Sequence, residues 1–182
     1  MGSWKFDKVI VVDLEATCWE TPEETAQNTS EIIEIGVCEL NAMTGEILRP
    51  RGILIKPQHS TVSEFCTRLT SITPEMVNMG ITFTEAIAIL KKEYQVSRCI
   101  LAAYGNYDRN MLERECERHG IKPPFGPTYL NISALATLKL KANTRLGLEE
   151  ACTRFGLTFE GRLHRGVDDA AMAARVLWKV IG

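Results

Sequence analysis

Residues 8–14, KVIVVDL, are apolar along both alternating lines of side chains. A run of that kind predicts a strand buried on both faces, as in a sheet covered by helices. Residues 31–40 (EIIEIGVCEL) and 52–56 (GILIK) predict two more strands, set off by a polar stretch at 20–30 and a turn at Thr44-Gly45. The period then changes. Thr73-Pro74 reads as an N-cap followed by proline at the first helical position, and Thr82 to Glu85 as a capping box opening the helix EAIAILKKEY. CILAA at 99–103 is a short apolar strand. One helix from about Tyr107 ends at Gly120 and another from about Leu146 ends at Gly156, glycine suiting the left-handed residue that closes a helix. The strongest helical repeat is the last, with Val167, Ala170, Ala171, Ala174, Leu177 and Ile181 in VDDAAMAARVLWKVI. Strands first, then helices alternating with another strand, predict an α/β architecture: a mixed sheet with helices packed against it.

At 182 residues the chain suits one domain, 1–182, with its core at about 8–181. Apolar residues at 45% and charged residues at 24% fit a globular chain, and no aliphatic run is long enough to cross a bilayer. No charged-then-apolar leader opens it, so an intracellular, cytoplasmic location is expected. Six scattered cysteines without a C-x-x-C pair read as thiols of a reducing compartment, and the Cys116–His119 spacing lacks the second pair that zinc needs. A formal charge of −2 argues against coating long nucleic acid with a basic surface. Nucleic acid stays open as a substrate if the footprint is small or positive charge comes from something other than side chains.

The candidate chemistry begins at the end of the first strand. Asp13 and Glu15, two positions apart, point to one face. Two neighbouring carboxylates repel, and a divalent cation with oxygen ligands relieves both the repulsion and the cost of burial. A D-x-E pair alone equally fits a strand end fraying into solvent. The last helix supplies a further acid. Asp169 shares a line with Ala173, Val176 and Val180 and is expected to face inward, whereas Asp168 shares one with Met172, Arg175 and Lys179 and is expected to be exposed. Asp108 opens the helix after CILAA, where capping explains it as well as ligation does. Among three histidines, His59 and His119 read as solvated, while His164 lies on a loop bracketed by Gly161 and Gly166 that leads to Asp169. An imidazole there suits a general base near neutral pH.

In that order and spacing, Asp13, Glu15, Asp108, His164 and Asp169 resemble the signature of the DEDDh 3′→5′ exonucleases. EATC (15–18), EIIEIG (31–36), FCTRLTSIT (65–73) and GRLHRGVDD (161–169) resemble the histone-mRNA 3′-exonuclease and RNAi-regulating exoribonuclease subgroup, over about residues 9–180. The resemblance implies a ribonuclease-H-like five-stranded mixed sheet with helices on both faces. It implies two magnesium or manganese ions held by Asp13, Glu15, Asp108 and Asp169, with His164 as base and Glu15 also near the terminal nucleotide. Single-stranded RNA or DNA 3′ ends are the implied partners, with no membrane and with homo-oligomers left open. The backbone at Ala16 and Thr17 would meet the terminal sugar, Phe65 and Leu69 would wedge against the last bases, and Tyr107 would stack. Read without the resemblance, Phe65, Leu69 and Tyr107 fit ordinary core packing. Trp19 is a further lip candidate, and Lys139, Lys141, Arg145, Arg162 and Arg165 could guide the phosphate backbone. Tyr107 stands where the subgroup usually has Trp, Ser71 for a usual Gly and Leu163 for a usual Pro, which bears on substrate choice. The competing readings are a non-catalytic binding module or accessory subunit on the same fold, a DNA-directed proofreading-type exonuclease, and a ribonuclease-H-type endonuclease.

Overall fold

The computed structural model describes residues 5–182, so the first four positions of the expected domain lie outside the described residues. Strands β1 (Lys5–Ala16), β2 (Ile32–Asn41), β3 (Ile47–Leu54), β4 (Cys99–Ala103) and β5 (Tyr129–Asn131) form one sheet in the order β3-β2-β1-β4-β5. β2 is antiparallel to β1 and β3, while β4 is parallel to β1 and β5. The helices are α1 (Pro22–Gln27), α2 (Glu64–Thr70), α3 (Pro74–Asn78), α4 (Phe83–Lys92), α5 (Tyr107–Arg118), α6 (Ile132–Lys139), α7 (Leu148–Arg154) and α8 (Gly166–Ile181). None of the helices among the described residues is long and apolar enough to cross a membrane.

The two apolar lines of β1 serve two different layers. Ile10, Val12 and Leu14 pack with Phe83, Ile87 and Leu90 of α4 and Met111 and Leu112 of α5. Val9 and Val11 face the other way, toward Ile132 and Ala136 of α6, Ala151 of α7 and Ala170, Ala173 and Leu177 of α8. On β2, Ile35 and Val37 join the first layer and Cys38 and Leu40 the second. Glu34 and Gly36 share the parity of Cys38 and so lie on the α8 side. There the helix comes very close. A Cβ on Gly36 would fall 1.8 Å from the Gly166 carbonyl carbon, and one on Gly166 would fall 3.0 Å from the Asp13 carbonyl oxygen. Two glycines facing each other let the first turn of α8 rest on the backbone of β1 and β2.

The helix starts follow the expected local chemistry. Thr73 Oγ1 accepts from the Met76 amide, Thr82 and Glu85 form a complete capping box, and Gly120 and Gly156 have φ of +62° and +69°. Three expectations need correction. β3 starts at Ile47 and ends at Leu54, not 52–56, because the tight turn closed by Asn41 and Glu46 brings the chain straight back into pairing. Its exposed Arg49-Pro50-Arg51 hides the strand pattern, and proline is tolerated on an edge strand such as this. His119 is half-buried, its ring 5.0 Å from that of Phe83. Met172, expected on an exposed line, is 1% exposed because the chain at Glu160 folds over it and donates its amide to Sδ at 3.5 Å.

Candidate active site

Asp13 and Glu15 continue the line of Val9 and Val11, so they emerge from β1 on the face that α8 covers. The β1–β4 ladder ends at the Val11–Ala102 pair. Past that point the Leu14 amide donates to Asp108 Oδ1 at 3.0 Å, which fixes the first turn of α5 against β1 between the two acids. Asp169, in the first turn of α8, is 4% exposed and its Oδ1 has no hydrogen-bond partner. A ring nitrogen of His164 and carboxylate oxygens of Glu15 and Asp169 lie within 4.8 Å of one another. A cleft of about 600 Å³ is lined by Asp13, Glu15, Tyr107, Asp108, His164 and Asp169 together.

Burial holds the Asp13 carboxyl well above the usual range, and the charges of Asp108, Asp169 and Glu15 push it further. Glu15 is raised to about 8, by burial first and then by Asp169 and Glu34. Asp169 is raised to about 7 by burial, against the His164 amide and with the charge of Asp168 adding. Burial raises Asp108 too, opposed by the Leu14 amide and by Arg145. Four crowded carboxylates, one with an orphaned oxygen and an imidazole beside it, make a hard-oxygen donor set of the kind that takes divalent cations.

These shifts set a direction for stability. Without metal, folded Glu15 and Asp169 keep protons that the unfolded chain has already released, so stability is lost as pH rises from about 4.5 toward about 8. Glu31 and Glu39, lowered despite burial by backbone amides and by Lys8 and Arg49 respectively, are already ionised across that window. Thermal unfolding with EDTA or manganese checks this. The gain from manganese is expected to be larger at about pH 8 than at about pH 5.5, and equal gains would refute it.

Other expected contacts are placed differently. Asp168 is half-exposed and accepts the Arg162 amide at 2.9 Å, so it braces the loop before α8 and stands apart from the acid cluster. The Thr17 amide is taken by the Glu31 carbonyl at 2.9 Å and its hydroxyl by the Glu31 amide, so a sugar contact there cannot use that N–H. Ala16 is 8% exposed. Phe65 is half-buried, whereas Leu69 and Tyr107 are 37% and 58% exposed, which excludes core packing for those two. Phe65, Leu69 and Trp19 are not among the cleft's lining residues. Arg145 is tied to Ser133 Oγ at 3.0 Å and Arg165 to Glu34, so neither swings free toward a phosphate. Ser71 takes the left-handed φ of +60° that glycine adopts without cost. Sequence reasoning missed Tyr104 and 147–150 on the cleft wall. Tyr104, whose hydroxyl bonds the Leu146 and Gly147 carbonyls, carried a usable signal in following β4 directly; the 147–150 stretch carried none.

With acids gathered at the carboxyl end of a central strand in this mixed five-stranded sheet, the chain has the ribonuclease-H-like fold. The exonuclease family model (RNase_T) matches residues 10–177, and the chain belongs to that family. It is 32% identical to mouse ERI1 exoribonuclease 2 over 197 residues, covering 95% of this chain and 28% of that protein. It is 30% identical to human 3′-5′ exoribonuclease 1 over 193 residues, covering 97% of this chain and 53% of that one. The chain therefore spans between 28% and 53% of these curated relatives. Among solved structures, the nuclease domain of 3′hExo, a DEDDh family member bound to rAMP, matches with a TM-score of 0.85 at 28% identity, covering 97% of this chain and 92% of that one.

Proposed function

We propose that this protein is a divalent-metal-dependent 3′→5′ exonuclease that shortens single-stranded RNA and releases nucleoside 5′-monophosphates. The observation that carries the reading is the convergence of Asp13, Glu15, Asp108, Asp169 and His164 on one cleft. Asp13, Glu15, Asp108 and Asp169 would hold the metal, magnesium or manganese. Bound there, two such cations supply Lewis-acid charge to the phosphate oxygens and lower the pKa of an attacking water. His164, exposed at the cleft edge, takes the proton from that water at a ring nitrogen. The exposed ring of Tyr107 offers a stacking face to the terminal base. Cations held by these acids would offset their charge toward the phosphate, so a chain of net charge −2 could act on a polyanion without a basic surface. RNA is favoured because both curated relatives are named exoribonucleases and the solved nuclease domain holds rAMP. Six free cysteines support an intracellular setting.

The test is a 5′-labelled panel of single-stranded RNA, single-stranded DNA and a stem-loop with a 3′ tail, incubated with magnesium or manganese and then with chelator. A metal-dependent ladder receding from the 3′ end, fastest on RNA, is expected. Discrete internal fragments would indicate an endonuclease, and inertness with both metals a binding module. His164→Ala is expected to slow cleavage about 10²–10⁴-fold while the stabilisation by manganese persists; loss of that stabilisation would make the histidine a ligand.

A further inference from the structure

Glu34 is 0% exposed near the start of β2; its charge bears on Glu15, but its carboxylate is not among the groups that line the cleft. A carboxylate at that depth is strongly destabilising unless it is paired and hydrogen-bonded. Its partners are specific. Arg165 Nε donates to Oε2 at 3.3 Å, Arg165 Nη2 to Oε1 at 3.2 Å, and the Gly166 amide to Oε2 at 2.9 Å. All three donors belong to the two residues that follow His164. Gly166 is the first residue of α8, and its N-cap, Arg165, makes no side-chain cap hydrogen bond of its own. Glu34 supplies the missing acceptor from a different element. The neighbouring strand makes room for it, since a Cβ on Gly52 would lie 2.3 Å from Glu34 Oε1.

Sheet pairing alone does not favour an acid there. Glu34 stands opposite Glu15 in the β1–β2 register, and like charges directly opposed are destabilising. The other end of the same loop is held by Asp168, which accepts the Arg162 amide. Between the two anchors His164 is exposed and held at φ +60°, a left-handed conformation that a non-glycine residue keeps only when its surroundings impose it.

We infer that Glu34 is a positioning residue for His164: the three-point clamp on Arg165 and Gly166 fixes the backbone from which the imidazole reaches the cleft. The inference rests on the exonuclease reading of that cleft. Glu34→Gln keeps the shape and loses the charge, and Arg165→Lys breaks the fork from the partner whose side chain is 25% exposed, where a substitution is easier to accommodate.

Each variant is made alone and in a His164→Ala background, and single-turnover and steady-state cleavage of 5′-labelled single-stranded RNA are measured in saturating manganese. The manganese-induced thermal shift is recorded for every variant. Expected results are a drop in kcat of about tenfold or more with KM within about twofold, an unchanged thermal shift, and no further slowing in the His164→Ala background. Additive losses in that background, a smaller manganese-induced thermal shift, or a rise in KM alone would each overturn the clamp, because a merely structural or metal-holding role moves those readouts instead. If the wild-type chain degrades RNA from its 3′ end, His164→Ala slows it and both clamp variants match wild type, the clamp fails while the exonuclease reading stands. If the wild-type chain does not cleave, the reading beneath the clamp has failed.

Discussion

Asp13→Asn is expected to abolish cleavage, a loss of about a thousandfold or more, and at the same time to raise the thermal stability of the metal-free protein near pH 8. The two effects share one cause. Asp13 sits where burial and the charges of Asp108, Asp169 and Glu15 all oppose its ionisation, so a neutral side chain of the same shape removes repulsion from the fold. That same repulsion gives the cluster its affinity for cations, whose charge stabilisation is worth several kcal/mol in the transition state, and about 4 kcal/mol is about a thousandfold in rate. Asp168→Ala, which loses one brace on the loop, is expected to keep most of the activity. Rates on labelled RNA and melting curves in EDTA decide the matter. A destabilised Asp13→Asn protein would mean that its inactivity reports unfolding, and equal losses at Asp13 and Asp168 would refute the assignment of the inward acid.

Where a single side-chain line carries the information, the sequence was readable. The two apolar lines of β1 pointed to burial on both faces, and both layers are there. Helical register separated Asp169, 4% exposed, from the half-exposed Asp168. Register failed one turn further on, at Met172, because periodicity says which residues share a face but not what the chain at Glu160 later lays across it. Strand β5 stayed invisible for a different reason. Its three residues, Tyr129–Asn131, are too few for any alternation to register. Helices α2 and α6 lacked a clean apolar stripe and are called into shape by capping at Ser63 and Asn131 and by packing. In the cleft, the acids and the histidine were legible as chemistry at conspicuous positions. What spacing cannot reveal is that donors of Thr17, Arg145 and Arg165 are engaged by groups distant in the chain.

Gly36 shows how a residue with no side chain governs the site. Gly36→Ala is expected to lower stability by about 3 kcal/mol and to reduce cleavage about a hundredfold or more. The new Cβ would meet the carbonyl carbon of Gly166 at 1.8 Å and its oxygen at 1.9 Å, backbone against backbone, with no flexible side chain to yield. The first turn of α8 has to lift, and it carries Asp169 away from Asp13, the residue paired with Gly36 in the β1–β2 ladder beneath that turn. A misplacement of about 1 Å between groups that must act together costs on the order of a hundredfold in rate. Gly120→Ala is the control, with a φ of +62° but nothing within 4 Å of its Cβ, so it tests conformational strain without close approach. That strain costs about 1 kcal/mol and leaves the cleft untouched. Urea unfolding of both variants, with cleavage rates on the same RNA, separates the two effects: if Gly36→Ala loses no more stability than Gly120→Ala and keeps its activity, then α8 does not owe its position, nor Asp169 its place beside Asp13, to the bare backbone of that glycine.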